Sequence, residues 1–184
     1  YEDEDGKLLF QVVRYKPKNF MQRKPDSDNP GDWIWKKSQK QVPYRLPEVL
    51  NSDFIIITAG EKDADNVREL GLTATCNAGG EKYWPKELNS YFKGKDIVIL
   101  ADNDDAGQER ISKVAQNLYG SANSIKSLTP CTDFPGADVT DWINKNGNGR
   151  EALLSMIEEA PEWQPQDKRA QTSPENGQGA DIDP

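Results

Sequence analysis

A chain of 184 residues with 23 Lys and Arg against 31 Asp and Glu, a formal charge of −8, two cysteines and no histidine rules out several chemistries at once. Without histidine there is no Ser-His-Asp triad, no Cys-His dyad and no zinc-ligand spacing. No apolar run approaches the roughly 20 residues of a membrane span, and Tyr1-Glu2-Asp3-Glu4 opens the chain without a targeting segment, so a soluble, cytoplasmic fragment of something longer is expected.

Glu4-Asp5-Gly6 reads as a hairpin turn, and Leu8–Tyr15 as a β-rich run ended by Lys16-Pro17. Residues 25–32 hold almost no apolar side chain and predict an exposed loop, after which Trp33-Ile34-Trp35 predicts a short strand. Residues 1–50 therefore form a small β-rich lobe. It is basic in spite of the net charge: between 11 and 46 stand nine Lys or Arg against three acids. Arg14, Lys16, Lys18, Arg23, Lys24, Lys36, Lys37 and Arg45 alternate with Tyr15, Phe20, Trp33, Trp35 and Tyr44, the mixture a surface for single-stranded nucleic acid needs. A solvated sheet edge whose lysines block aggregation and whose aromatics pack inward accounts for the same composition.

From Asp53 the pattern becomes alternating strand and helix. Strands are predicted at 54–58, 73–76, 97–101 and 124–128, and helices at 62–70, 84–92, 106–118, near 139–145 and at 149–159. That order predicts an α/β domain over residues 51–163 with a doubly wound parallel sheet. Residues 164–184, rich in Gln, Asp, Ser, Pro and Gly, read as a disordered linker or tail. No internal repeat is visible.

The stretch Asp96–Gly107 carries the most chemistry. A short apolar run delivers Asp102, Asp104 and Asp105 to one strand end, where open α/β sheets bind ligands. Hard oxygen ligands so placed suit Mg²⁺ or Mn²⁺, usually held by one or two carboxylates together with substrate phosphates. Gly60 is placed to let a strand turn sharply into a helix whose first amides, with Lys62, face a phosphate; a tight turn alone also wants that glycine. Asp63 suits a first-turn cap, and Asp105 and Gly107 shape the turn into the next helix, with Asp105 near its N-cap. The Asn77-Ala78-Gly79-Gly80-Glu81-Lys82 turn brings Lys82 to the same edge, as a phosphate contact or merely as part of a flexible connection. Asp138 and Asp141 start an apolar helix; Asp138 is the candidate third acidic ligand. An EF-hand is excluded because Lys113 stands at its twelfth position, and a haloacid-type phosphatase because Ala106 stands where its threonine belongs. A phospho-receiver domain explains neither Gly60-Glu61-Lys62-Asp63 nor the basic lobe. No dinucleotide fingerprint or phosphate loop is present.

Thr58-Ala59-Gly60-Glu61-Lys62-Asp63-Ala64, Asp102-Asn103-Asp104-Asp105-Ala106-Gly107 and Pro135-Gly136-Ala137-Asp138-Val139-Thr140-Asp141-Trp142 together resemble the acidic stations of a Toprim domain. The resemblance is strong over 50–145 and loose over 1–50. It implies a Toprim-like fold and a DNA primase of the phage or mobile-element primase-helicase type. That in turn implies Mg²⁺- or Mn²⁺-dependent nucleotidyl transfer, with single-stranded DNA template, nucleoside triphosphates and a helicase domain or subunit as partners. Asp102 and Asp104 match the family's metal-holding pair. The family's strand-end glutamate falls on Ala59, leaving Glu61, two residues on, as the nearest carboxylate in that turn. Three readings stay open: a natural variant that uses Glu61, an engineered knock-out, and a module that binds without transferring. A metal-dependent nuclease on the same scaffold is a further alternative.

Overall fold

The computed structural model describes residues 1–17, 19–80, 83–145 and 147–165; Lys18, Lys82 and nearly all of the 164–184 tail lie outside them. The chain builds a small antiparallel sheet, order β1-β2-β3, from β1 (Gln11–Tyr15), β2 (Asn19–Pro25) and β3 (Trp33–Ile34). It then builds a four-stranded parallel sheet from β4 (Phe54–Ile57), β5 (Ala74–Thr75), β6 (Asp96–Leu100) and β7 (Ser124–Leu128), in the order β5-β4-β6-β7.

Near-continuous apolar strands arise because both faces of the parallel sheet are covered. Ile55 and Ile57 of β4 sit beside Ile97 and Ile99 of β6. They pack on one side against Leu88 and Phe92 of a 3-10 helix (Lys86–Phe92) and against Ile111, Val114 and Leu118. The last three belong to the long helix that follows β6. Ile56, Val98 and Leu100 point the other way, onto Ala64, Val67, Val139, Trp142, Leu153 and Ile157. Those residues come from the other helices: α2 (Glu61–Glu69), α4 (Val139–Asn144) and α5 (Arg150–Glu159), while α1 (Leu46–Leu50) precedes the sheet and α3 (Asp105–Leu118) is the long one. The Lys126 ammonium donates to the carbonyls of Ile157 and Glu158, both at 2.9 Å, and so satisfies the C-terminal end of α5.

The expected 84–92 helix is tighter than an α-helix, starting after Pro85, and the expected 73–76 strand shrinks to Ala74–Thr75. Strand β2 and helix α1 were not legible: β2 is mostly polar, and α1 is a single turn with a proline at its start. A third cluster, Tyr1, Phe10, Val42, Leu46 and Ala78, ties the N-terminal part to the sheet, helped by the Tyr44 amide donating to the Cys76 carbonyl at 2.9 Å. Among the described residues, no helix is long and apolar enough to cross a membrane.

Since β4 lies inside the sheet, the chain leaves it for β5 on one side and returns for β6 on the other. The crevice beyond the carboxyl ends of β4 and β6 is thus the topological switch point, where such sheets bind ligands.

Candidate functional site

Three helix N-termini meet at this edge. Helix α3 is capped by Asp104, whose Oδ1 accepts from the Gly107 amide at 2.8 Å. Helix α4 is capped by Asp138, which accepts from the Asp141 amide at 2.8 Å while Asp141 Oδ2 accepts from the Asp138 amide at 3.1 Å. The loops after β6 and before α4 are laced at Asn103: its amide donates to Ala137 O (2.9 Å), its carbonyl accepts from Gly136 N (2.8 Å), and its Nδ2 donates to Phe134 O (2.9 Å). The α2 turn joins through the Thr140 hydroxyl, which donates to Asp63 Oδ1 at 2.6 Å and accepts from Asn66 Nδ2 at 2.6 Å. Lys62 Nζ stands 3.5 Å from Asp138 Oδ2.

Asp63 is buried, and that burial pushes its carboxyl above the ordinary range, with the Thr140 hydroxyl pulling the other way. It acts as a bolt between α2 and α4. Burial likewise raises the Cys76 thiol well beyond its usual value, so Cys76 is an inert wall and no nucleophile.

The acidic stations share the edge without forming a cage. Among the described residues, no three His, Cys, Asp or Glu side chains stand together as a metal-holding group. Asp104 and Asp138 each commit one oxygen to a cap, and Asp102 heads the turn, its carbonyl accepting from the Asp104 amide at 2.9 Å. This donor set fits a hard cation that takes one or two carboxylates and completes its shell with substrate phosphates and water; it does not fit an all-protein cage. Glu61 turns elsewhere: its Oε1 accepts from the Tyr1 hydroxyl at 2.8 Å. It lines a cavity of about 660 Å³ between the small sheet and the switch point, with Arg14, Phe20, Tyr44, Arg45 and Lys62.

Gly60 is extended, with φ −151°, a conformation open to any residue, and nothing lies within 4 Å of where a Cβ would stand. The turn therefore does not draw on the conformational freedom of its glycine, and the open space beside Gly60 leaves the start of α2 accessible. Among the described residues, the seven candidate nucleic-acid cations do not form one patch. Arg14 and Arg45 face the cavity, while Arg23 stacks on Trp33 at 3.9 Å and Lys37 lies 4.8 Å from the Tyr83 ring. Lys16 and Lys36 are exposed, Lys24 is half-buried opposite Ile34, and Lys18, like the phosphate candidate Lys82, lies outside the described residues.

Sequence reasoning missed Arg110. It is buried on α3, donating through Nη2 to Thr58 O at 2.6 Å and Asn77 Oδ1 at 3.1 Å, and it thereby joins the ends of β4 and β5 to the helix that presents Asp104. The available signal was an arginine inside the apolar stripe Gly107, Ile111, Val114, Leu118. Arg110→Leu is expected to cost about 2 kcal/mol, because charged hydrogen bonds are lost and their acceptors stay desolvated. The urea midpoint of purified protein checks this, and an unchanged midpoint contradicts the role.

No protein-family model matches the chain. Among curated proteins it is similar to the DNA primase DnaG of Staphylothermus marinus, 25% identical over 128 residues that cover 66% of this chain and 30% of that protein. It is also similar to the DNA helicase/primase of Enterobacteria phage T3, 26% identical over 172 residues, 90% of this chain and 27% of that one. The chain thus spans less than a third of the length of either relative. Its fold matches the crystal structure of the Aquifex aeolicus primase (zinc-binding and RNA polymerase domains) with a TM-score of 0.62 at 20% identity, over 88% of this chain and 39% of that one. In sequence the chain is related to DNA primases, and its fold is the Toprim-like α/β fold of primase domains.

Proposed function

We propose that this chain is the Toprim-type domain of a primase acting in DNA replication, carrying out template-directed nucleotidyl transfer beside a helicase domain or subunit in the cytoplasm. The observation that carries the reading is the meeting of three loops at the β4/β6 switch point, the Asp102–Asp105 and Gly136–Asp141 turns and the Gly60 turn, next to a cavity lined by Arg14, Phe20, Arg45 and Lys62. Asp102 and Asp104 would hold Mg²⁺ or Mn²⁺, which supplies charge neutralisation to a bound nucleoside triphosphate. The open amides at the start of α2 and the Lys62 ammonium bind phosphate oxygens. Arg14 and Arg45 orient a single-stranded template in the cavity, with the Phe20 ring as a stacking surface.

Asparagine caps a helix about as well as aspartate, so Asp104→Asn keeps the start of α3 while removing a charge. Calorimetric titration with a nucleoside triphosphate in Mn²⁺ is expected to show affinity lowered about tenfold to a hundredfold, the loss of one charged contact of about 1.5–3 kcal/mol. Equal affinity in the two proteins refutes the assignment. A second reading, binding without transfer, draws support from Ala59 and from the engagement of Glu61 with Tyr1.

A further inference from the structure

The small sheet has two faces. Val12, Arg14 and Phe20 line the cavity from one of them, and of the other face only Gln11, at the start of β1, also borders it among the described residues. In an antiparallel pair, residues directly opposite share a face, and the register Gln11↔Arg23, Val13↔Met21 places those four on the other side. Tyr15 alternates onto it from Val13, and Trp33, opposite Pro25, joins from β3. The contacts agree: the Arg23 guanidinium lies 3.9 Å from the Trp33 ring centroid and 5.6 Å from that of Trp35, and the Tyr15 and Trp35 centroids are 6.0 Å apart.

This second face is built and unused by the site already described. Arg23 is held in place, its Nε donating to Gln11 Oε1 at 2.9 Å, so the rings have a fixed cation among them. Yet Tyr15 is 39%, Met21 43% and Trp35 46% exposed, large apolar groups left in water beside that charge. Exposed apolar patches of this kind mark interaction surfaces. The occupant follows from charge and shape. Arg23, with exposed Lys16 and Lys36 nearby in sequence, favours a polyanion, and bare aromatic faces favour flat rings; unpaired nucleotides offer both. A duplex offers its phosphates but hides its ring faces.

We propose that this outer face of the β1-β2-β3 sheet is a second nucleic-acid site, in which unpaired bases stack on Tyr15 and Trp35 while phosphates lie along Arg23 and Lys36. Exposed Lys16, in the turn between β1 and β2, sits where a strand passes from the cavity face to the outer face. The site goes beyond the proposed transfer reaction and needs no part of the acidic edge.

The test is fluorescence anisotropy with a labelled oligothymidylate of about 12 nucleotides, within the usual span of such surfaces, and with a duplex of equal length. Trp35→Ala and Tyr15→Ala are each expected to raise the Kd for the single strand about tenfold, the loss of one stacked base, and Trp35→Phe, which retains a ring, is expected to restore most of it. Nucleoside triphosphate binding in Mn²⁺ stays at the parent value in all three, which separates this proposal from the transfer reading. Parent-like single-strand affinity in both alanine variants overturns it. So does equal parent affinity for the duplex, or a sedimentation result in which these substitutions only dissociate a self-associated form.

Discussion

Gly107→Ala is expected to lower stability by about 3 kcal/mol, the upper part of the range for overpacking, and Tm by roughly 6–12 °C for a chain of this size. On an exposed helix the same change gains about 1 kcal/mol, so even the sign is diagnostic. A Cβ at 107 would stand 2.2 Å from the Asp102 carbonyl oxygen and 3.1 Å from its carbonyl carbon. These are backbone atoms at the end of β6, with no rotamer to escape into. Helix α3 must move outward, or the Asp102–Asp104 turn must leave its place. The first course pulls Arg110 from Thr58 O and Ile111, Val114 and Leu118 from the core; the second undoes the Asn103 lacing to 134–137. Either course also weakens Mn²⁺-dependent nucleotide binding, since the glycine holds the acidic turn against its helix. Gly60→Ala is the control: with open space and an extended backbone there, it leaves Tm within about 1 °C. A calorimetric scan in which Gly107→Ala melts at or above the parent temperature removes the argument.

Legibility followed burial. Strands β4 and β6 announced themselves as apolar runs because helices cover both sheet faces, and α2 and α3 came within a residue of expectation because caps and apolar stripes mark their ends. Strand β2 was hidden because its two faces look into a basic cavity and into solvent, so Asn19, Gln22, Arg23 and Lys24 erase any alternation. The site divided along the same line. Acid spacing placed Asp102, Asp104 and Asp138 at one sheet edge, since each follows a strand or opens a helix. Nothing in spacing says that Asn103 zips onto Phe134, Gly136 and Ala137, or that Tyr1 takes Glu61, because such contacts join residues 30 or more positions apart. Arg110 escaped for a related reason: its partners are backbone and amide oxygens, which leave no signature in composition.

Ala59→Glu is expected to have the largest effect on activity, raising primer synthesis by about 10²–10⁴-fold, the usual contribution of a positioned general acid or base. Ala59 is the second residue beyond the paired end of β4, half-buried, in the turn leading to α2. It flanks the same switch point as Asp102, because Ile57 and Ile99 are the last paired residues of the adjacent strands. Glu61 does not supply the missing group where it stands, its carboxylate being engaged by the Tyr1 hydroxyl within the cavity wall. A glutamate at 59 adds a carboxylate to an edge already bearing Asp102, Asp104 and Asp138, and like charges at close quarters raise a carboxyl pKa toward the range useful for proton transfer. The measurement is primer synthesis on single-stranded template in Mg²⁺, by the full-length parent with and without the substitution, alongside Glu61→Gln. A steep rise for Ala59→Glu with little change for Glu61→Gln identifies a framework complete but for one proton carrier. If synthesis instead collapses in Glu61→Gln and Ala59→Glu adds nothing, Glu61 is the working acid and must leave Tyr1 to act. If neither substitution moves synthesis from background while single-strand binding persists, the domain holds nucleic acid and transfers nothing.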